Sequence, residues 1–227
     1  MLVGALVQGV VGIGLGLIGA PVVTLVQPDL MPGFLLVLAT LMPMVTLRHE
    51  HSDIDWRGLG WALPTRVLGT ALGVWLVAIL SDRVIGIAVG VMVLVAVAIT
   101  VRAVEVPVTR SSLATAGFVS GVTGTATSIG GPPLVILYQH RPPRQVRTTM
   151  AVYFMVGAAL SLVGLLITGE LTRHQVLSAL LMIPALVLGG LLAGPVRARL
   201  GGPAFRVAVL VVCAVSATAL LVRSLAA

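Results

Sequence analysis

The sequence predicts an all-α integral membrane protein of about eight hydrophobic segments. They form two homologous, inverted four-segment repeats, and the first segment of each is broken or re-entrant. Three observations predict this. The 227 residues are 58% hydrophobic and 9% charged, whereas soluble domains carry about 25% charged residues. The mean hydropathy is +1.13. A motif also occurs twice: Gly9 opens GVVGIGLGLIGAPVVTLV and Gly121 opens GVTGTATSIGGPPLVILY. A gap-free shift of 112 positions places Gly9 on Gly121, Gly12 on Gly124, Gly19 on Gly131, Pro21 on Pro133 and Leu25 on Leu137. In membrane proteins, interrupted segments at corresponding places in two halves point to a transport site.

A helix needs about 20 apolar residues to cross a bilayer. Candidates lie at 2–27, 33–48, 58–80, 84–102, 113–138, 147–169, 174–196 and 204–224. The second is short, bounded by Pro32 and by the polar run from Arg48 to Asp53. Asp82, Glu170 and Gly201-Gly202-Pro203 punctuate the others. Linkers are short, so one polytopic domain is expected over 1–227, with repeat 1 at 1–104 and repeat 2 at 111–227. The first twenty residues carry no basic stretch and belong to the repeat, which argues against a secretory signal. The single Cys213 lies in an apolar run and reads as packing.

All 14 basic residues are Arg, and the net charge is +7. Such a charge can signal nucleic acid. In a chain this apolar it reads instead as loop orientation, and no nucleic-acid partner is expected. If all eight segments cross, one side holds Arg48, Arg57, Arg102, Arg110, Arg173 and Arg223. The other then holds Arg83, Arg141, Arg144, Arg147, Arg197, Arg199 and Arg206, an even split. If 2–27 and 113–138 are re-entrant, Arg48, Arg57, Arg102, Arg110, Arg141, Arg144, Arg147, Arg197, Arg199 and Arg206 share one side. Only Arg83, Arg173 and Arg223 face them, a normal positive-inside bias. The re-entrant reading is preferred, with a kinked but crossing segment as the alternative. It leaves three crossings per repeat, an odd number, so the halves are inverted and both termini lie outside the cytoplasm.

The breaks have a definite chemistry. Gly12, Gly14, Gly16 and Gly19 permit close backbone approach. Pro21 and Pro133 fit the first turn of a half-helix. A break followed by a half-helix leaves backbone N–H groups without acceptors, and these attract an anion. Gly130 and Gly131 precede Pro133 in the same way. The second tip adds the hydroxyls of Thr123, Thr125, Thr127 and Ser128, so it is expected to make most of the polar contacts. The competing reading is that small residues serve helix packing.

Arg66 is the single charge well inside a predicted span. An intramembrane guanidinium can grip an anion bidentately, or it can snorkel to the interface. Tyr153 and Thr149, four apart on one helix face with Thr148 beside them, can face the second tip. Gln8 is a further polar residue of the first hairpin. Arg141, Arg144 and Arg147 read either as an anion-concentrating vestibule or as orientation charges. The run His49-Glu50-His51-Ser52-Asp53-Ile54-Asp55 contains metal-ligand types but reads more simply as a polar loop. No cofactor and no metal are expected.

The glycine-rich opening with Pro21, Ala39-Thr40, the polar loop with Asp55-Trp56 and the second Gly130-Gly131-Pro132-Pro133 resemble the TauE/SafE family of sulfite exporters and sulfonate permeases. The pattern spans essentially the whole chain. It departs from the usual one by a short N-terminus and by Leu15 within the glycine run. The resemblance implies an eight-segment multi-pass transporter of the bacterial inner membrane, for small sulfur-containing anions or organic acids. No Asp or Glu lies in a predicted span and no Walker motif occurs, which argues against an intramembrane enzyme and against direct ATP drive. The expected function is a secondary transporter of a small anion such as sulfite, by alternating access between the two tips. The expected partners are that anion, the lipid bilayer and a second copy of the chain in a homodimer. An anion channel and a non-transport membrane subunit or sensor are the rival readings.

Overall fold

In the computed structural model, residues 1–11, 14–102, 106–200 and 203–226 are described. Every regular element among them is helical: α1 Leu2–Val11, α2 Leu15–Val26, α3 Gly33–His49, α4 Trp56–Ile79, α5 Asp82–Arg102, α6 Arg110–Thr127, α7 Pro132–Tyr138, α8 Pro143–Thr168, α9 Arg173–Leu181, α10 Ile183–Leu200 and α11 Pro203–Ala226. A 3-10 turn, Pro28–Leu30, joins α2 to α3.

Local sequence sets several of these ends. The Asp55 carboxylate caps α4 by accepting the Gly58 N–H at 2.9 Å. Thr109 with Ser112, and Thr172 with Gln175, form capping boxes at α6 and α9, each satisfying two otherwise orphaned groups. Gly169 ends α8 in the left-handed conformation at φ 80 and donates to the carbonyls of Leu165 and Leu166. Pro184, next to the start of α10, removes a helix N–H, and the axis bends by 46° between α9 and α10.

Among the described residues, four helices are long and apolar enough to cross a membrane: α4, α5, α8 and α11. The bent pair α9–α10 makes a fifth. Length and composition thus give four to five spans, and do not by themselves give the eight segments expected. Segments 2–27 and 113–138 are each two helices separated by a break, and α3 has 17 residues.

The side-by-side contacts fix helix directions. Along α4 and α6, Gly117 packs on Ala62, Gly69 on Phe118, and Gly73 on Val122 and Thr125, so these helices run parallel. Along α4 and α8, the Asp55 N–H donates to Thr149 at 3.0 Å, Gly157 abuts Arg66 and Gly164 abuts Val74, so α8 is parallel too. Because α6 and α8 run the same way, the chain between them turns back. Arg110 lies over the Trp61 ring at 5.2 Å, while Tyr138, which closes α7, donates to Asp55 at 2.8 Å. Segment 110–138 thus begins and ends beside the start of α4.

The first segment behaves alike. A β-carbon on Gly4 would lie 3.5 Å from Leu15, and one on Gly19 would lie 3.6 Å from Met1, so α2 returns antiparallel along α1. Gly189 meets Leu2 and Ala5 while Gly9 meets Ala193, and Gly33 meets Gln175 of α9 while Gly190 meets Met42 and Val45, so α1 and α3 run parallel to the α9–α10 pair. The two sets oppose each other. Glu50 at the end of α3 pairs with Arg147 at the start of α8, and Gly86 and Gly90 of α5 pack on Ser224 and Leu221 of α11.

Close approach depends on missing side chains. Gly69 and Gly73 on α4 face Gly121 on α6, and Gly117 on α6 faces Ala62 on α4, the small-xxx-small spacing that lets membrane helices touch backbone to backbone. Leu68, Leu72 and Trp75 lie on the exposed side of α4, as expected for a surface solvated by lipid.

Candidate functional site

The two breaks meet at the centre of the bundle. A β-carbon on Gly16 would lie 2.5 Å from the Ser128 carbonyl oxygen, so backbone of the first tip rests on backbone of the second. Beside this contact is a cavity of about 50 Å³. One water needs about 10–15 Å³, so the space suits a few waters or one small oxyanion.

The floor of the cavity comes from the tips: Gly14, Gly16 and Leu17 on one side, Ser128 to Pro132 on the other. The walls are Leu36 and Ala39 of α3, and Phe154 and Ala158 of α8, which exclude water. Gln8, Arg66 and Ser128 supply the polar side chains, and no acidic residue lines it.

Arg66 is 2% exposed. Its Nη1 donates to the Ser120 hydroxyl at 2.6 Å, and the Ser120 hydroxyl donates in turn to the Gly130 carbonyl. The guanidinium carbon stands 4.6 Å from the centre of the Tyr153 ring. Gly124, Gly130 and Gly157 make room for it. A β-carbon on Gly157 would overlap Nε and the guanidinium carbon. Nε has no hydrogen-bond partner, and among the described residues no carboxylate pairs with this cation. A buried ion is normally paired, because removing it from water costs several kcal/mol. Arg66 does not snorkel: it is held at the level of the tips by residues 54 and 91 positions away.

The first turn of α2 also offers donors. The Leu15 N–H is taken by Gln8 Oε1 at 3.1 Å and that of Ile18 by the Gly14 carbonyl at 2.9 Å. Gly16 and Leu17, the next two residues of this turn, line the cavity. The helix dipole adds partial positive charge at this end.

Of the hydroxyls expected at the second tip, only Ser128 reaches the cavity. It sits in the left-handed conformation at φ 60 and donates to the Pro32 carbonyl at 3.0 Å. Thr123, Thr125 and Thr127 donate to the carbonyls of Val119, Gly121 and Thr123, each four residues back. Thr125 also meets Ser161 at 2.8 Å. Such back-bonding is what a helical threonine does when nothing stronger competes.

Gly14, Gly16, Gly130 and Gly131 are at the cavity, and Tyr153 lies directly beneath Arg66. Gly12 lies outside the described residues. Gly19 sits inside α2 against Leu35 and Met1, not at the tip, because α2 starts four residues earlier. For the same reason Pro21 is interior to α2, contrary to its expected place in a first turn. Pro133 is in the first turn of α7 as expected. Thr148 bonds the Arg144 carbonyl and Thr149 receives the Asp55 N–H, so neither lines the cavity.

Sequence reasoning missed Ser120 and Gly157. Ser120 is four residues before Gly124, and Gly157 four after Tyr153, so each shares a helix face with a recognised residue. That spacing is the signal that would have found them. The acids of the polar run are occupied: Glu50 accepts from Arg147, Asp53 lies 3.6 Å from Arg144, and Asp55 caps α4 and accepts from Tyr138.

The protein family described as sulfite exporter TauE/SafE matches residues 1–220. No curated protein and no solved structure matches the chain.

Proposed function

The chain belongs to the sulfite exporter TauE/SafE family, a family of membrane transporters of sulfur compounds rather than enzymes, and from that premise we propose that it carries a small sulfur oxyanion such as sulfite by alternating access. The observation that carries this reading is Arg66, a buried cation facing a cavity of oxyanion size with no carboxylate among the described residues to neutralise it. The transported anion is its counter-ion. The N–H groups at the start of α2, at Gly16 and Leu17, bind the remaining oxygens. The apolar walls lower the local dielectric and strengthen each contact.

The helix directions support an inverted repeat, with 1–104 and 111–227 as its units. The equivalents α3 and α8 oppose each other, as do α5 and α11. The first hairpin packs on α10 of the other unit, and the second hairpin packs on α4. Rocking one unit against the other then exposes the tips to alternate sides. The helix ends bearing ten of the Arg residues lie together, which supports a cytoplasmic position for that face. It follows that both termini lie on the opposite side of a bacterial inner membrane.

The test is flux through purified protein in liposomes. Sulfite, sulfate, thiosulfate, an alkyl sulfonate and a small carboxylate are offered with and without a proton gradient. Saturable flux of a sulfur oxyanion, abolished in Arg66→Gln and in Gly131→Leu, is expected. Flux that does not saturate indicates a channel. Undiminished flux in Arg66→Gln rules out this site.

A further inference from the structure

Three cavities lie in a row between the tips and the face that carries Arg144 and Arg147. The inner one, with Arg66, shares Gln8 and Phe154 with a constriction of about 10 Å³, room for one water at most. The constriction shares Thr46 and Arg147 with an outer cavity of about 270 Å³, which also contains Glu50. Arg147 therefore stands where the passage narrows.

Arg147 holds Glu50 with both Nε, at 3.0 Å, and Nη2, at 2.7 Å, on the same carboxylate oxygen. The two side chains are 14% and 22% exposed. Glu50 closes the C-terminus of α3 and Arg147 lies in the first turns of α8. Thr46 and Pro43 on α3 face Ala151 and Phe154 on α8 across the constriction. The ion pair is thus a tie between the two helices that must part for the passage to widen.

We propose that Arg147 is a second anion-binding station, at the cytoplasmic-face entrance, and that Glu50 occupies it until a transported oxyanion displaces the carboxylate. This rests on the proposed transport of a small oxyanion. A carboxylate and a sulfur oxyanion both offer a guanidinium anionic oxygens that accept its N–H groups. An arriving anion can therefore take over Arg147 without leaving the cation unpaired. Released Glu50 no longer ties α3 to α8, and the constriction opens past Phe154. The next cation inward is Arg66, whose guanidinium touches Gly157, ten residues along α8 from Arg147 and so about 15 Å away. Binding at the entrance is thereby linked to opening, and the apolar constriction is not crossed until an anion is present.

The test measures sulfite flux separately from each face, in right-side-out and inverted vesicles containing the full chain. Arg147→Gln is expected to raise the KM on the face bearing Arg147 about tenfold, about 1.4 kcal/mol, and to leave the KM on the opposite face within about twofold. Glu50→Gln removes the competitor and is expected to lower the KM on that same face. Both variants are checked for folding by gel filtration, and Glu50→Asp, which restores the carboxylate, should return the KM toward the wild-type value. Equal losses of flux from both faces in Arg147→Gln and Glu50→Gln mark the pair as a structural brace and overturn the proposal. So does an unchanged KM on the Arg147 face. If Arg66→Gln abolishes flux while Arg147→Gln leaves both KM values intact, the inner site stands and the entrance station falls. If the wild type carries none of the tested anions, both fall.

Discussion

Arg66→Met separates a cation that binds from one that packs. In the wild type the guanidinium is 2% exposed, meets one hydroxyl at 2.6 Å and lies 4.6 Å from one aromatic ring. Burying the ion costs several kcal/mol. A hydrogen bond to a charged group returns about 1.5–3 kcal/mol, and a cation–π contact about 0.5–2 kcal/mol. Cost and return nearly cancel, and Met removes both while filling much of the volume. Stability without ligand should then change by less than about 2 kcal/mol, or under about 8 °C at the 2–4 °C per kcal/mol usual for a chain of this size.

Anion binding responds differently. Truncating one partner of a buried, hydrogen-bonded charge pair costs about 2–5 kcal/mol, roughly 30- to 5,000-fold in Kd. The assay is thermal unfolding of detergent-purified protein with and without sulfite. Ligand at about 100 times Kd adds about 2.7 kcal/mol to the wild type, an upward shift of roughly 5–11 °C. At the same sulfite concentration the variant should gain at most about 0.9 kcal/mol, a shift of under about 4 °C. A full sulfite shift in Arg66→Met, or a variant that unfolds far below the wild type without ligand, would refute the reasoning. The first result means the cation is not the binding group, and the second means that it is a structural one.

Three further predictions follow from particular contacts. Gly157→Ala places a methyl where Arg66 Nε and the guanidinium carbon now lie, so it should displace the guanidinium and abolish sulfite transport with Arg66 still present. Flux measured in liposomes decides this. Gly69→Leu drives a side chain into the Phe118 backbone and should lower Tm or prevent purification of folded protein, as judged by gel filtration. Asp55→Ala removes the α4 cap, about 1 kcal/mol, and leaves the Tyr138 hydroxyl without its acceptor, about 1–3 kcal/mol more. Its Tm should fall by roughly 4–16 °C, while Asp55→Asn, which keeps an acceptor, should lose less.

Membrane residence, the duplicated motif and the place where each half is interrupted were legible in the sequence. They depend on local quantities: hydropathy over a window, glycine runs, and proline at a half-helix start. The break after Thr127 is announced by Ser128, Gly130, Gly131 and Pro132. Arg66 could be singled out because a charge in an apolar run is conspicuous by itself. The roles of Gly19 and Pro21 were less legible. A gap-free match with the second half puts them at a tip, whereas α2 begins at Leu15, once the chain has turned back far enough for Gln8 to cap it. The two tips are thus offset by a helical turn, which the sequence match does not carry.

Only the tertiary structure decided which polar groups share a space. Arg66 meets Ser120 across 54 positions and Gly157 across 91, and no periodicity within one helix encodes such meetings. The threonines of the second tip look like ligands in sequence. In the fold, three of the four satisfy carbonyls of their own helix, because a hydroxyl in an apolar interior takes the nearest acceptor. Whether Arg66 snorkels or stays was equally undecided by sequence, since its distance from the interface allows either. The structure keeps it at the tips because three glycines leave a slot for its guanidinium, with Ser120 and Tyr153 as its partners there.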